Sequence, residues 1–355
     1  MKVSEELIRA EIDEFLNEIK PFEIKEEISR FFLKDVVDYI EEINNIATES
    51  SQKGYLIDLQ KKFDRFTTQI LLKGYSLEKL VNNKKIMQDV KDNFRKIVGK
   101  WIYKSDIVKR AYEKPRDYPG DYKMLEIIYD AKPISKNFGL YSDIYFLKSP
   151  YAVAVRIRKD RLKDSLKNFI VKSKLNKIDI LNIACGSCRE IRELLLDLKM
   201  GSPMITFNCF DWDEEALKFS QDTLLPIKPE NVEFKFIKED IMNLIKDEST
   251  AFLADRQDLI YSIGLIDYLP DRVLKKLITI LYQLLKNNGK LILTHKNREK
   301  TFPSIPPDWF CDWKFVSRNK EEVIKLIYTS GISEFSLSVE SDDFEYIYYF
   351  TLTRK

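Results

Sequence analysis

Residues 180–191, ILNIACGSCREI, contain the turn that decides which fold we expect. An apolar run ends here in a turn with a single glycine, Gly186, and a helical segment follows. A strand that passes into a helix through such a turn is typical of nucleotide-binding α/β folds, whose turns usually hold two or three glycines. Gly186 can adopt a positive φ at the tightest point. We therefore predict that the backbone of this turn lies against a cofactor.

The chain after this turn alternates between short apolar runs and amphipathic segments, which predicts a parallel sheet with helices on both faces. We expect strands near 179–184, 204–210, 232–237, 258–262 and 290–295, and helices near 188–199, 213–221, 270–287 and 319–330. The final residues, ISEFSLSVESDDFEYIYYFTLTRK, predict two strands joined by a turn with no helix between them. An antiparallel hairpin at the end of a doubly wound sheet restricts the α/β folds that the chain can have.

The first 130 residues predict helices instead. Leu56, Leu59, Phe63, Phe66 and Ile70 recur at spacings of three and four, as expected for one apolar face of a helix. The loop that follows contains prolines and ends at Asp121, where a short helix is predicted to begin. We predict an N-terminal helical domain at 1–130, connecting helices and an active-site cover at 131–174, and a cofactor-binding domain at 175–355.

Composition excludes several classes of function. The 355-residue chain has a formal net charge of +2, so no bulk charge attracts nucleic acid or a membrane surface. Its longest apolar stretch, LITILYQLL, is far shorter than the roughly 18 residues of a membrane span. The first residues, MKVSEELIRAEIDEF, are charged, so we expect no signal peptide in them, and four cysteines are too few for a disulfide scaffold. We expect a cytoplasmic protein with reduced thiols.

The two cysteines of the turn, Cys185 and Cys188, have the spacing of half a zinc site. The sequence offers no second Cys/His pair to complete a tetrahedral site, since it contains one histidine. We therefore predict no metal.

Ligands of such sheets bind at the carboxyl ends of the strands, beside the first strand. This rule places Ala184, Cys185 and Gly186 at the cofactor. Cys188 would crowd a pyrophosphate at the start of the next helix. Because a cofactor without a pyrophosphate needs less backbone clearance, the turn favours S-adenosylmethionine over NAD.

Polar residues after the next three strands complete the predicted site. Asp211 is placed to accept hydrogen bonds from ribose hydroxyls, and Asp240 is placed to meet an adenine amino group. An aspartate after a strand can equally be the N-cap of the following helix. The further residues that we assign to the cofactor site are Asp211, Trp212, Asp240, Ile241, Ser262 and Gly264.

These residues resemble the class I S-adenosylmethionine-dependent methyltransferases over roughly 175–355. LNIACGSC lies on the first motif of that family, with Asn182 in place of an acidic residue and Ala184 and Cys188 in place of glycines. The resemblance implies a Rossmann-like, seven-stranded class I methyltransferase sheet, preceded here by an N-terminal helical bundle. It also implies S-adenosylmethionine as the cofactor.

A narrower resemblance runs from about residue 100 to the end. KPRDYPGDYKMLEIIYD, AVRIRKDRL, DLIYSIGLIDYLPD and DWFCDWKFVSR are similar to segments of one bacterial subfamily. That subfamily is associated with methyl-ester formation on 3-hydroxy fatty acids, and related enzymes methylate the C-terminal carboxylate of lanthipeptides. The resemblance implies a carboxyl O-methyltransferase of natural-product biosynthesis, with a peptide C-terminus preferred to a hydroxy fatty acid as acceptor.

A carboxylate acceptor needs little catalytic apparatus, because it is ionised at neutral pH and loses no proton in the reaction. Arg158 is our candidate to bind a carboxylate, either that of the acceptor or that at the methionine end of the cofactor. Arg156, two residues earlier, points about 200° away around the helix. Tyr122 and Tyr268 are candidate hydroxyl donors near the transferred methyl group. His295, after the fifth strand, is a candidate ligand of the acceptor, or a base for a different acceptor. For each of these residues an ordinary structural role is the alternative.

Residues 51–117 carry seventeen Lys and Arg against eight Asp and Glu, a net charge of +9. We expect this basic part of the helical domain either to be a solvated surface or to dock an acidic peptide or carrier. The cations in question are Lys84, Lys85, Lys91, Arg95, Lys96, Lys100, Lys104, Lys109 and Arg110.

Two rivals to carboxyl methylation stay open: methylation of a small hydroxyl or amine, and a non-catalytic adenosyl-binding regulator. The oligomeric state is not predicted.

Overall fold

The computed structural model describes residues 5–197, 203–247, 256–301 and 305–355. The chain forms two compact units. The helical unit comprises Met1–Ser149 and Pro303–Lys314, and the sheet unit comprises Pro150–Phe302 and Phe315–Lys355. The units divide at 149/150, between the edges at 130 and 174 that the sequence suggested, and the helical unit includes a second segment from late in the chain.

The helical unit is built from short and medium helices, numbered here along the chain. They are α1 Glu5–Glu18, α2 Phe22–Arg30, α3 Val37–Lys53, α4 Ile57–Val81, α5 Lys84–Ile102, α6 Asp106–Glu113, α7 Tyr122–Asp130, α8 Phe138–Lys148 and, from the late segment, α15 Ile305–Cys311. A π-helical stretch, Phe31–Val36, joins α2 to α3. Leu59, Phe63 and Ile70 are buried as their spacing predicts, whereas Leu56 is exposed because it lies just before the start of α4.

Trp309, on α15, lies at the centre of the helical unit and is fully buried. Its ring packs edge-on against Phe31 and Phe94, with ring centroids 5.6 and 5.1 Å away. Its indole N–H donates to Glu78 at 2.6 Å. Gly74, on α4, leaves the space that the indole fills, because a Cβ there would lie 2.6 Å from a ring carbon. The late segment is therefore an integral part of this core.

The sheet unit contains one seven-stranded sheet. Its strands are β1 Lys177–Ile183, β2 Met204–Asp211, β3 Val232–Lys238, β4 Gln257–Ile263, β5 Leu285–Lys296, β6 Phe335–Ser341 and β7 Ile347–Arg354. The spatial order is β3-β2-β1-β4-β5-β7-β6. The first five strands are parallel and β7 is antiparallel to both neighbours. Both the parallel sheet and its terminal hairpin confirm the prediction.

Helices cover both faces of this sheet. They are α9 Pro150–Lys172, α10 Arg189–Asp197, α11 Glu214–Leu224, α12 Ile241–Asp247, α13 Asp271–Gln283, α14 Arg298–Thr301 and α16 Lys320–Tyr328. Alternate residues of β1 enter two separate cores: Ile178 and Ile180 pack with α9, α10 and α11, and Leu181 and Ile183 pack with α13 and α16. This period of two is the pattern of a strand buried on both sides.

Within the described ranges, none of the helices combines the length and the apolar character needed to cross a lipid bilayer.

Candidate active site

The turn after β1 holds three residues with positive φ: Ala184 at 55°, Gly186 at 54° and Cys188 at 48°. Gly186 has the conformation expected of it, and the two other residues adopt the left-handed region despite their side chains. A non-glycine residue pays about 1–2 kcal/mol for that conformation. Such strain persists where the surrounding structure imposes it, and it clusters at binding sites. Ala184 and Cys188 therefore keep the backbone path that glycines usually provide.

Asp211 fixes this turn from the end of β2. Its Oδ2 accepts a hydrogen bond of 2.8 Å from the Gly186 N–H, and its Oδ1 accepts one of 2.9 Å from the Asp213 N–H. Each carboxylate oxygen can accept a second hydrogen bond. Burial, together with the charges of Asp213 and Cys188, raises the pKa of Asp211 to about 6 although both backbone bonds act to lower it. The carboxylate thus shapes the turn and retains lone pairs for a ligand's hydroxyl groups.

The other residues predicted near the adenosyl group lie at the ends of β2 and β3. The Glu239 N–H donates to the Asp211 carbonyl at 3.1 Å, so the two strand ends adjoin. Trp212 is about half exposed (48%). Asp240 is exposed, and its carboxylate accepts from the Met242 N–H at 2.8 Å, as a residue that starts a helix does. Ile241 is half-buried at the first position of α12.

Ser262 and Gly264 lie where β4 ends beside β1, the point at which the strand order reverses. The Ser262 hydroxyl is fully buried and donates to the Ile183 carbonyl at 2.9 Å, which ties the two strand ends together. Gly264 has φ 92°, and the Arg158 guanidinium occupies the space beside it. A Cβ at this glycine would lie 2.8 Å from Arg158 Nη2. Any larger residue would displace that arginine.

A buried polar cluster behind the turn was not predicted. Glu190, at the start of α10, accepts from Asn182 at 2.9 Å and from the Tyr261 hydroxyl at 2.8 Å, both through Oε1. Burial, followed by the proximity of Cys188, raises the pKa of Glu190 to about 8. Glu190 thereby supplies, from the helix, the carboxyl group that Asn182 lacks at the end of β1. The spacing of Asn182 and Glu190 around the turn is the one sequence signal that could have indicated this pair.

The three thiols of Cys185, Cys188 and Cys209 are buried together in the core next to Glu190. Burial raises the pKa of the Cys185 thiol well above its ordinary value. All four cysteines of the chain are free thiols. Across the described ranges, no group of three His, Cys, Asp or Glu side chains is arranged to hold a metal ion.

Asp267, in the loop after β4, contacts three basic side chains. Its Oδ2 lies 2.9 Å from Lys296 Nζ and 3.3 Å from Arg158 Nη1, and its Oδ1 lies 2.8 Å from His295 Nδ1. The Lys296 N–H also donates to Oδ1 at 3.1 Å. Burial alone would raise the pKa of Asp267, but Lys296, His295 and Arg158 hold it well below its usual range. The carboxylate is therefore ionised and holds all three basic side chains.

Three of the predicted catalytic residues lie around this loop. Arg158 and His295 are buried against Asp267, and the His295 contact lacks the alignment of a hydrogen bond. Tyr268, the next residue, is 40% exposed, and its ring lies 5.4 Å from that of Phe315. The structure brings these residues to the carboxyl ends of β4 and β5. Lys296, equally close to Asp267, was not predicted, because a lysine that ends a strand usually faces solvent.

Tyr122 belongs to the helical unit, where it is the first residue of α7 and is buried. Asp121 caps this helix by accepting from the Met124 N–H at 2.8 Å, and it also pairs with Arg110 at 2.5 Å. The catalytic role of Tyr122 stays a prediction.

The nine cations of the predicted docking surface fall into three groups. Arg110 is half-buried and pairs with Asp121. Lys91 and Arg95 are buried inside the helical unit: Lys91 pairs with Glu78 and Asp308, and Arg95 donates to the Asp308 carbonyl. Six others are exposed: Lys84, Lys85, Lys96, Lys100, Lys104 and Lys109. Docking of an acidic partner therefore depends on the exposed lysines.

No protein-family model and no curated protein matches the chain. A solved structure of a possible exported protein from Bordetella parapertussis is 15% identical, over 90% of this chain and 95% of that one, with a TM-score of 0.52. A DUF574 family protein from Streptomyces avermitilis is 12% identical, over 66% and 97% of the two chains, with a TM-score of 0.50. Identities this low show the fold alone.

The sheet unit has the class I methyltransferase fold. Its strand order and antiparallel seventh strand carry that assignment. Magnesium protoporphyrin IX methyltransferase from Synechocystis, solved with bound S-adenosylmethionine, is 14% identical over 57% of this chain and 83% of that one. Its TM-score of 0.41 is too low to carry an argument about this chain.

Proposed function

We propose that this protein is an S-adenosylmethionine-dependent O-methyltransferase that converts a carboxylate into a methyl ester. The observation that carries the cofactor assignment is the turn at Ala184, Gly186 and Cys188, held in left-handed conformations and fixed by Asp211. The Cys188 thiol is fully buried in the core beneath the turn, so the preference for a cofactor without a pyrophosphate rests on the fold and on the resemblance, not on crowding by this side chain.

The chemistry requires positioning more than acid–base catalysis. S-adenosylmethionine supplies an electrophilic methyl group; a carboxylate oxygen forms the new bond to carbon as the carbon–sulfur bond breaks, and the sulfonium becomes a neutral thioether. No proton moves, because the acceptor is already ionised. The His295 imidazole lies against Asp267, and a carboxylate acceptor requires no base from it. The basic side chains near Asp267 favour an anionic acceptor.

We propose the C-terminal carboxylate of a ribosomally made, modified peptide as the acceptor, by the resemblance described above. A 3-hydroxy fatty acid is the second candidate, by the same resemblance. The cytoplasmic location and the role in natural-product biosynthesis remain proposals.

Titration calorimetry of the full chain with S-adenosylmethionine and S-adenosylhomocysteine tests the cofactor assignment. Mass spectrometry then tests the reaction: a peptide with a free C-terminus should gain one methyl group, and the same peptide with a C-terminal amide should gain none. 3-Hydroxydecanoate is the parallel acceptor for the second candidate. Binding of the cofactor with no transfer to any acid would favour the two rivals, a methyltransferase of a small hydroxyl or amine and an adenosyl-binding regulator. Absence of cofactor binding would refute the proposal.

A further inference from the structure

We infer that Lys296 is the direct ligand of the acceptor's carboxylate, and that Phe315 and Tyr268 form the apolar surface on which the acceptor lies. This inference rests on the proposed carboxyl methylation and names the residues that would make it selective for acids.

The first step of the argument is charge. Among the described residues around it, the Asp267 carboxylate contacts two basic side chains, Arg158 and Lys296, together with His295. All four side chains are buried, with residue exposures of 8% or less. An unbalanced buried charge is costly, so a surplus cation calls for an anion. Burial, followed by repulsion from Arg158, lowers the pKa of Lys296 against the pull of Asp267, and a bound anion would relieve that cost.

The second step is geometry. The Lys296 ammonium lies 2.9 Å from Asp267 Oδ2 and 4.0 Å from the centroid of the Phe315 ring. An ammonium has three N–H donors. The carboxylate takes one and the face of the ring takes another, which leaves one N–H for a ligand. Asp267, held in turn by Arg158, fixes the direction of that donor and is a positioning residue.

The third step is access. Exposure rises outward from the buried carboxylate of Asp267: Lys296 is 8% exposed, Phe315 is half-buried and Tyr268 is 40% exposed. The Phe315 ring stacks on Tyr151 at 5.5 Å and meets Tyr268 at 5.4 Å. An aromatic surface therefore leads from solvent to one ammonium. This arrangement fits an acceptor whose carboxylate is attached to an apolar group.

The fourth step is proximity to the predicted cofactor site. Gly264, assigned to that site, lies three residues before Asp267 in the same loop and contacts the Arg158 guanidinium. A further observation concerns buried polar atoms near this loop. Within the described part of the chain, Arg158 Nε, Thr294 Oγ1 and the Tyr349 hydroxyl are buried without a hydrogen-bond partner. Thr294 and Tyr349 are paired across β5 and β7, and the Lys296 side chain leaves the same face of β5.

The test compares the binding of two ligands. N-acetylphenylalanine has a carboxylate next to an apolar group, and its methyl ester has the same apolar group without the charge. We expect the wild-type chain to bind the acid more tightly than the ester. Lys296→Met should weaken binding of the acid by about 30-fold or more, as loss of a buried ionic partner does, and leave the ester unaffected. Lys296→Arg should restore part of the preference. Lys290→Met, six residues earlier on the same strand, is the matched control and should change neither affinity.

Phe315→Ala should weaken acid and ester alike, since it removes the apolar surface and not the charge. Thermal unfolding of each variant shows whether it is folded. Two results would overturn the inference: equal binding of acid and ester by the wild type, or an acid preference that survives in Lys296→Met. Calorimetry with S-adenosylmethionine separates the two proposals: a chain that prefers the acid but does not bind this cofactor refutes the proposed function alone. A chain that binds the cofactor but has no acid preference refutes the inference alone.

Discussion

The carboxylate of Asp211 accepts a 2.8 Å hydrogen bond from the backbone N–H of Gly186, a residue 25 positions earlier in the chain. One side chain at the end of β2 therefore sets the conformation of the turn after β1. The same carboxylate is the predicted ligand of the ribose hydroxyls. Binding of the cofactor and the shape of the turn are thus linked through one ionisable group.

The first prediction concerns pH. Burial raises the pKa of Asp211 to about 6, and the ionised form is the better acceptor for ribose hydroxyls. We expect the affinity for S-adenosylmethionine to be constant above this pKa and to fall by up to tenfold per pH unit below it. Calorimetry across about pH 5 to pH 8 measures this. Asp211→Asn should bind weakly at every pH, because its amide N–H₂ would face a backbone N–H.

Asp222→Asn is the control for this experiment. Asp222 is exposed on α11 and is not among the residues assigned to the cofactor site. The variant should retain the pH profile of the wild type. A profile in Asp211→Asn that still follows a group with a pKa near 6 would contradict the assignment to Asp211.

The sheet and the position of Asp211 could be predicted because both depend on local patterns. Apolar runs of strand length, helices between them, and an aspartate directly after β2 are visible along the sequence. The partnership of Asn182, Glu190 and Tyr261 is not, because it needs three elements to meet and Glu190 looks like any helical glutamate. Lys296 was not predicted for the same reason, because its contact with Asp267 also joins separate elements. The return of α15 into the helical unit also escaped prediction, since only packing shows that Trp309 fills the space beside Gly74.

The second prediction concerns strain in the turn. Ala184→Gly should stabilise the protein by about 0.5–1 kcal/mol, because glycine adopts φ near 55° without steric cost. Ala154→Gly, in the interior of α9, should destabilise it by about 1 kcal/mol or more, because glycine adds flexibility to the unfolded chain and removes a methyl group buried against Ile347 and Tyr349. Urea denaturation of the two variants measures both. A loss of stability in Ala184→Gly equal to that in Ala154→Gly would show that Ala184 is unstrained.

The third prediction concerns Glu190. Its folded-state pKa of about 8 exceeds its ordinary value of 4.5, so the folded protein holds this proton more tightly than the unfolded chain does. Stability from this group is complete below the ordinary value and is lost as pH rises towards 8, at about 1.4 kcal/mol per pH unit inside that window. Glu190→Gln keeps the acceptor oxygen for Asn182 and Tyr261 but has no proton to lose. Its stability relative to the wild type should therefore increase from pH 5 to about pH 8.

Glu193, one turn further along α10, provides a control of opposite sign. Lys159 and Arg189 hold its pKa below the usual range, although partial burial would raise it. Glu193→Gln should be less stable than the wild type near neutral pH, and the difference should vanish as pH falls through the lowered pKa. Denaturant titrations of both variants at several pH values give the comparison. Parallel curves for the two variants would refute the interpretation of Glu190.

The fourth prediction concerns the helical unit. Replacing a helical glycine by alanine ordinarily stabilises a helix by about 1 kcal/mol. At Gly74 we expect the reverse, a loss of about 1–3 kcal/mol, because the new methyl group would lie 2.6 Å from the fully buried ring of Trp309. Gln69→Ala, on the exposed face of α4, should change the stability by less than about 0.5 kcal/mol. A double variant, Gly74→Ala with Trp309→Phe, isolates the clash: the smaller ring should make the alanine less costly than it is beside tryptophan. An alanine at 74 that stabilises the protein would mean that α15 does not pack against α4.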